Sequence, residues 1–342
     1  MKKTKHLSGK RPKRGEVDLL ERIERIVSSA EVRNSRLRVG IGDDAALFKG
    51  TTGFDQILTC DWFLEGTHFV RHLHPPDAVG WKCLARAVSD VAAMGGVPRC
   101  FLLSLALPTS HTGAWLDQFL HGLRRAASRF ECVLAGGDTT RSKDILISVT
   151  VIGEVRAGKG VLRSGARAGD VLFTSGRLGE AELGLRLLRK SKHLSDGRNP
   201  LLRKHLYPEP RLALGLWLAE KVLASAMMDL SDGLSTDLPR LCAASGVGAR
   251  LEGTKIPGAR VPMNMRGSGD NPLNLALHGG DDYELLFTVP PRKLKQIPRS
   301  FHGLPIHSMG EITPRQEVMV IGEDAREVLL PNRGWDSFRN SR

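Results

Sequence analysis

Five short segments of this chain set aspartate beside glycine, or where a strand, a turn and a helix are expected to meet. They are Gly42-Asp43-Asp44-Ala45, the strand end at Asp61, Ser89-Asp90, Gly136-Gly137-Asp138-Thr139 and Asp229-Leu230-Ser231-Asp232-Gly233. Carboxylates at such places project into a cleft instead of a core. If they converge, their repulsion calls for divalent cations. Hard cations such as Mg²⁺ take oxygen ligands and share themselves between carboxylates and substrate phosphates. Adjacent aspartates such as Asp43 and Asp44 can reach different ions, because successive side chains point in different directions. The competing reading is turn chemistry, since Asp-Gly and Gly-Asp pairs are common in turns. Each segment alone fits that reading; their recurrence weakens it.

Other routes to phosphate or hydrolytic chemistry are poorly marked. Gly40-Ile41-Gly42-Asp43-Asp44-Ala45 fits G-x-G-x-x-A. As a dinucleotide loop it would face a pyrophosphate with two carboxylates and no intervening metal. The sequence holds no G-x-x-x-x-G-K-[ST], no H-E-x-x-H and no G-x-S-x-G. His72 and His74 read as an ordinary surface pair.

The elements that must position the aspartates follow from periodicity. Leu19, Leu20, Ile23, Ile26 and Val27 share one face of a helix predicted over 16–30. A short strand covers 57–61. Pro75-Pro76-Asp77 opens a helix, with Asp77 as its expected cap and Trp81, Leu84, Ala85, Val88 and Val91 as its apolar stripe. It stops at Gly95-Gly96. A strand at 101–107 and a helix at 113–130 follow. Ile145, Ile147, Val149 and Val151 alternate as a strand face. The Gly/Arg/Lys-rich stretch 156–169 is the expected domain boundary. Beyond it come a strand at 171–174, a turn at 176–179 leading into a helix, and a polar surface connection over 190–203. A helix at 210–223 leads to the Asp229 segment, then a helix to about 245, then a strand at 284–289. We expect a tail over 1–15, an N-terminal domain over 16–155 and a C-terminal domain over 160–342. The fold class is α+β or α/β in two domains.

Composition sets outer limits. Hydrophobic residues make up 41% and charged residues 25% of the 342, the balance of a globular protein. The longest nearly apolar run, Cys100 to Leu107, is too short to span a bilayer. No apolar segment follows the basic start, so a cytoplasmic setting is expected. The five cysteines (Cys60, Cys83, Cys100, Cys132, Cys242) form no C-x-x-C pair and read as reduced thiols, mostly buried. The formal charge is +13, and seven Lys/Arg within the first 14 residues account for all but +6 of it. The excess therefore sits largely in a tail of disordered composition. A nucleic-acid partner, which would need basic and aromatic residues interleaved on a folded face, is not expected.

Read in order, the motifs resemble the thiamine-monophosphate kinase family, in the superfamily that includes aminoimidazole ribonucleotide synthetase. The stretches that carry the likeness are GIGDDAAL (40–47), TCDWFLEGTHF (59–69), LARAVSDVAAMGG (84–96), GGDTTRS (136–142), RSGARAGD (163–170), DLSDGLSTDL (229–238), GGDDYEL (279–285) and RGWDSF (333–338). The resemblance runs from about Glu16 onward. It implies an N-terminal sheet carrying helices, a C-terminal mixed α/β domain completing the active site, and a homodimer built through the N-terminal domain. It implies transfer of the γ-phosphoryl of ATP to thiamine monophosphate. By motif position, Asp44, Thr59, Cys60, Asp61, Asp90, Asp138, Asp229 and Asp232 would hold several Mg²⁺ ions. Gly137, Asp138, Arg163 and Ser231 would contact ATP, and His68, Asp281 and Trp335 would approach the acceptor. Trp335 could stack on a cationic ring for about 0.5–2 kcal/mol, or simply pack as a hydrophobic lid. The rival within the superfamily is an ATP-dependent enzyme acting on a purine or maturation substrate; a relative retained only as a scaffold is a further alternative. Two positions depart from the family pattern: Cys60 stands where Thr is usual, and Asp281 where Glu is usual. No catalytic base is expected, because a phosphate monoester with a second pKa near 6 is already ionised at neutral pH.

Overall fold

The computed structural model describes residues 22–23, 25–27, 37–39, 47–190, 199–262, 271–336 and 338. The expected tail and the pair Asp43 and Asp44 lie outside these residues, as does most of the helix expected over 16–30, of which 22–23 and 25–27 are helical.

Strands β1 (Leu37–Val39) and β2 (Leu47–Phe48) pair with each other. The first large sheet consists of β3 (Phe54–Leu64), β4 (Val97–Leu107), β5 (Val133–Arg141) and β6 (Leu146–Arg156), in the order β3-β6-β4-β5. Only β4 and β5 run parallel. Helices α1 (Pro76–Ala93) and α2 (Ala114–Arg129) cover one face. There Leu84, Val88, Leu120 and Leu123 meet Phe101, Leu103, Val149 and Val151 in one core. Full burial of each such side chain favours the fold by about 1.5–3 kcal/mol.

The sheet changes after Arg156. Strands β7 (Val171–Ser175), β8 (Ala226–Leu230), β9 (Gly248–Glu252), β10 (Glu284–Val289), β11 (Ser300–Phe301), β12 (Leu304–Thr313), β13 (Val318–Ile321) and β14 (Glu327–Leu329) build the second sheet. Its order is β14-β13-β9-β12-β7-β10-β8, with β11 on β12. Helices α3 (Glu180–Lys190), α4 (Pro200–Leu206), α5 (Leu212–Glu220), α6 (Leu234–Ser245) and α7 (Pro272–His278) accompany it. Its central strands are buried on both faces. Met228, Leu172 and Leu286 pack towards Leu234, Leu238 and Leu241 of α6. Met227, Phe173 and Phe287 pack towards Leu214 and Leu218 of α5. β8 and β10 are buried at every position, which is why they read as unbroken apolar runs. Helix α1 touches both halves, meeting β3 and β6 on one side and α5 and β8 on the other.

Three local expectations are corrected. Pro75, not Asp77, is the residue preceding α1, and no side chain caps that end. Asp77 accepts instead from Arg125 (2.8 Å) and the Tyr207 hydroxyl (2.9 Å). The connection expected over 190–203 includes the start of α4, which Asn199 caps by accepting from the Leu201 amide at 3.0 Å. His74 is buried, while only His72 is exposed. Four of the five cysteines are buried, and Cys60 is exposed.

Candidate active site

One side of α1 presents Lys82, Arg86 and Asp90, spaced four residues apart and so stacked turn upon turn. The opposite side of the helix is committed to the first core, so this stripe can only face the second half of the chain. Where it does, a cleft of about 660 Å³ opens. Asp61 from β3, Asp90, Asp229 from β8, and Asp232 from the following turn all line it. Four of the five acidic segments are spoken for in this way, or lie outside the described residues; the fifth, Asp138, is not among the lining side chains.

The acidic end is tightly framed. Thr59 Oγ1 donates to Asp90 at 2.5 Å, and Ser89 Oγ donates to Asp229 at 2.8 Å. The turn after β8 is held by Asp237, whose carboxylate accepts from the amides of Ser231 (3.1 Å) and Asp232 (2.9 Å). Gly233 permits that turn: its φ is +99°, and a Cβ there would come within 2.9 Å of the Gly279 carbonyl oxygen. Burial, with Asp90 and Asp232 adding their charge, pushes Asp61 up to about 6, against the relief that Arg86 provides. Burial and the neighbouring Asp90 carry Asp229 well above the carboxylate range. Burial raises Asp90 too, although the Thr59 bond opposes it. Such carboxylates are costly as bare anions and are relieved by a cation. Among the described residues no three His, Cys, Asp or Glu side chains close around a single ion. Facing carboxylates without an all-protein cage suit Mg²⁺, which keeps waters and shares itself with phosphates.

The other end of the cleft is a buried network. Lys82, 1% exposed, donates to Asp281 at 2.8 Å, and the Tyr283 hydroxyl donates to the second Asp281 oxygen at 2.7 Å. His205 stands 3.3 Å from Lys82 and 3.1 Å from His74. Burial, then the Lys82 charge, depresses both imidazoles, His74 to about 4. Burial alone would raise Asp281, but Lys82 and Arg86 hold it below the carboxylate range. His68 Nδ1 accepts from the Leu64 amide at 3.0 Å, so in the neutral ring Nε2 carries the proton. Burial, with Arg86 nearby, lowers His68 to about 4 and keeps that form at neutral pH.

The expected site residues thus divide. Asp61, His68, Asp90, Asp229, Ser231, Asp232, Asp281 and Trp335 share one cleft. Trp335 is 45% exposed, and its amide donates to the Asp232 carbonyl at 2.8 Å. Asp282 does not stand in for Asp281: it accepts from the Gly179 and Ala181 amides at 2.6 and 3.2 Å. Strand register separates the rest. Asp61 belongs to the row Val149, Leu103, Gly137, whereas Asp138 belongs to the next row, with Ser104, Ser148 and Trp62. Successive rows face opposite sides of a sheet, so Asp138 points to the face away from α1. Cys60 shares that face, its Sγ 3.4 Å from Ser148 Oγ, which leaves its carbonyl, not its thiol, as the group a metal could use. Gly137 has a reason of its own, since a Cβ there would lie 1.9 Å from the Leu103 carbonyl oxygen. Arg163 is exposed, yet its charge reaches Asp90. Asp44 lies outside the described residues. Sequence reasoning missed Lys82, Arg86, Asp237, Tyr283 and His205. The i, i+4 spacing of Lys82, Arg86 and Asp90 on an otherwise apolar helix was the available signal.

Comparison with known proteins places this geometry. Residues 42–155 match the model of the AIR synthase related protein N-terminal domain, and 167–323 match that of the C-terminal domain. The thiamine-monophosphate kinase of Bacillus subtilis (strain 168) is 33% identical over 321 residues, covering 92% of this chain and 97% of the relative. A crystal structure of the thiamine-monophosphate kinase from Stenotrophomonas maltophilia K279a aligns with a TM-score of 0.77 at 34% identity, covering 90% of this chain and 96% of that one. AaThiL complexed with AMPPCP and TMP aligns with a TM-score of 0.73 at 34% identity, over 96% and 99%.

Proposed function

The chain belongs to the thiamine-monophosphate kinases, within the AIR synthase related proteins, and we propose that its cleft passes the γ-phosphoryl of ATP to thiamine monophosphate, releasing ADP and thiamine diphosphate. One observation supports this best. A single cleft holds Asp61, Asp90, Asp229 and Asp232 together with the cations Arg86, Arg189 and Arg333, as a site for two polyanions requires.

The obstacle to this reaction is charge. Two like unit charges at 4 Å repel by about 4 kcal/mol at an effective dielectric near 20, roughly a thousandfold in rate if left unscreened. An acceptor phosphate oxygen attacks the γ-phosphorus, and the bond to the oxygen bridging the β- and γ-phosphorus breaks, leaving ADP. No proton need be removed, so positioning and neutralisation carry the catalysis. Asp61, Asp90, Asp229 and Asp232, with Asp44, Thr59 and the Cys60 carbonyl, would hold Mg²⁺, which when bound supplies neutralisation of the phosphates. Ser231 is fixed by Asp237 at the edge of this group and suits a phosphate contact. His68, as a neutral Nε2–H donor, and Trp335, as a partly exposed ring, are placed to contact the acceptor. By motif position Gly137 and Arg163 would contact ATP, and Asp138 would serve both ATP and Mg²⁺, from the face of the first sheet that turns away from α1 and not from the lining of this cleft. The setting is cytoplasmic, where ATP and reduced thiols coexist; among the described residues no helix is long and apolar enough to cross a membrane.

Product chromatography tests the reading. Purified protein with ATP and Mg²⁺ should form ADP only when thiamine monophosphate is present, with thiamine diphosphate in equal amount and none of either in excess EDTA. ADP formed equally without the acceptor would refute the substrate assignment.

The open face of the first sheet supports a homodimer. Leu58 (71% exposed) and Trp62 (57% exposed) stand on edge strand β3 on the side that, among the described residues, no helix covers, and exposed apolar faces of this kind mark association sites. Light scattering should give twice the chain mass, and Trp62→Glu should shift it towards one. A monomeric wild type at micromolar concentration would end this part of the reading.

A further inference from the structure

We propose that Arg86 is the residue that grips the phosphate of the acceptor, and so gives the cleft its preference for thiamine monophosphate over thiamine. The inference rests on the phosphotransferase reading above.

Arg86 lines the cleft, and its side chain is 17% exposed. Its Nε is buried and, among the described residues, meets no hydrogen-bond acceptor. Among the described residues its nearest carboxylate oxygen, on Asp281, is 3.7 Å from Nη1, beyond hydrogen-bond reach. Asp281 already receives Lys82 and Tyr283 on its two oxygens. The remaining acids that act on Arg86, Asp61 and Asp232, do so through space. A half-buried guanidinium whose buried Nε donor stands idle is an unusual expense for a fold to carry. A bidentate phosphate would satisfy it, because the planar fork of donors matches phosphate oxygens.

Position selects which phosphate. Arg86 lies over the Phe63 ring, 5.3 Å from its centroid, and Phe63 stacks on Phe69 at 5.1 Å, so the fork is held from below. Asp90 stands about one helical turn beyond it, about 6 Å along the axis. Lys82 stands one turn behind, engaged with Asp281. A phosphate on Arg86 is therefore one turn from the acidic end, where a metal-bound triphosphate would lie. His68, whose imidazole is affected by the Arg86 charge, borders the same place. This is the geometry of an acceptor phosphate awaiting a donor.

The test uses the full-length protein, with Arg86→Met and Arg86→Lys variants. KM for thiamine monophosphate should rise at least about tenfold in Arg86→Met, while KM for ATP stays within about twofold. Arg86→Lys, which keeps the charge but loses the fork, should fall between. Binding measured by calorimetry with an ATP analogue present gives the decisive ratio. The wild type should bind thiamine monophosphate much more tightly than thiamine, and Arg86→Met should bind the two about equally. Equal weakening of both ligands, or an unchanged preference, would overturn the proposal. If Arg86→Met does not fold, the same ratio in Arg86→Lys decides, and an unaltered ratio there counts against the proposal. A wild type that makes no thiamine diphosphate would instead refute the functional reading, so the two failures are told apart.

Discussion

Asp229→Asn should cut turnover by at least about a hundredfold, roughly 2.7 kcal/mol of transition-state stabilisation, yet leave the protein at pH 8 in EDTA at least as stable as the wild type. The two effects share one cause. Asp229 is 3% exposed on a strand buried throughout, and accepts one hydrogen bond from Ser89. Its carboxyl is held well above the carboxylate range, first by burial and then by Asp90. The sign follows from linkage. A group whose pKa is raised on folding binds its proton more tightly in the native state, so its contribution is whole below the unfolded pKa of about 3.9 and is lost as pH rises through the folded value. Asp61, raised to about 6, adds to the same trend. The metal-free wild type should therefore lose stability as pH climbs through and above that range. The buried imidazoles act oppositely and nearer neutrality: His74 and His205, depressed on folding, cost stability as pH falls below about 6.5. Asparagine in place of Asp229 removes one acidic component, and with it the reason for a cation to bind there. Thermal melts at pH 6 and pH 8, each with Mg²⁺ and with EDTA, check this. Mg²⁺ should raise the wild-type melting temperature more at pH 8 than at pH 6, and raise that of Asp229→Asn less. A variant with wild-type turnover at saturating Mg²⁺ would remove Asp229 from the site.

Only part of this site is legible in the amino-acid sequence. β10 and α1 were readable because their signals are local: an apolar run for one, a proline start, an apolar stripe and a glycine stop for the other. The aspartates were readable as residues with unusual neighbours, and the ordered motifs tied them to a reaction. Their partition was not readable. Asp61 and Asp138 look alike in sequence, yet they lie on opposite edges of one sheet and in adjacent rows, hence on opposite faces. That outcome depends on the pairing β3-β6-β4-β5, which no local pattern encodes. The same register turns the Cys60 side chain, where this chain departs from the family pattern, away from Asp61. The cations of α1 were missed for a related reason. Lys82 and Arg86 read as interruptions of an apolar stripe, and their partners are some two hundred residues distant in sequence.

Lys82→Met should give a large loss of stability among single substitutions in the cleft. Removing one partner of a buried ion pair costs about 3–5 kcal/mol, because the other is left uncompensated. Lys82 is 1% exposed, but the Asp281 side chain is 26% exposed, so the lower end, about 3 kcal/mol, is the reasonable figure. For a chain of 342 residues, with an unfolding entropy of about 2.1 cal/mol/K per residue, that is a fall in melting temperature of about 4 °C. Burial works against the Lys82 charge, and Asp281 is what sustains it. The reverse is also true, since Lys82 and Arg86 hold Asp281 ionised against its own burial. Asp281 adopts φ +66°, a conformation that a non-glycine residue keeps only when its surroundings insist. The ion pair is part of that insistence. Lys82→Met with Asp281→Asn should therefore recover part of the loss, because neither member of the pair is left as a lone charge and the Tyr283 hydroxyl stays bonded to the amide oxygen, while Arg86 loses its nearest described carboxylate. Urea titrations of the wild type, both single variants and the double variant close the cycle, with a coupling of about 2 kcal/mol expected for a partly buried charged pair. A double variant no more stable than Lys82→Met would mean that Lys82 acts through packing of its stem. The same four proteins separate two roles for Asp281. If it positions the cleft through Lys82, both single variants raise KM for thiamine monophosphate alike; if it touches the acceptor itself, Asp281→Asn alone does so.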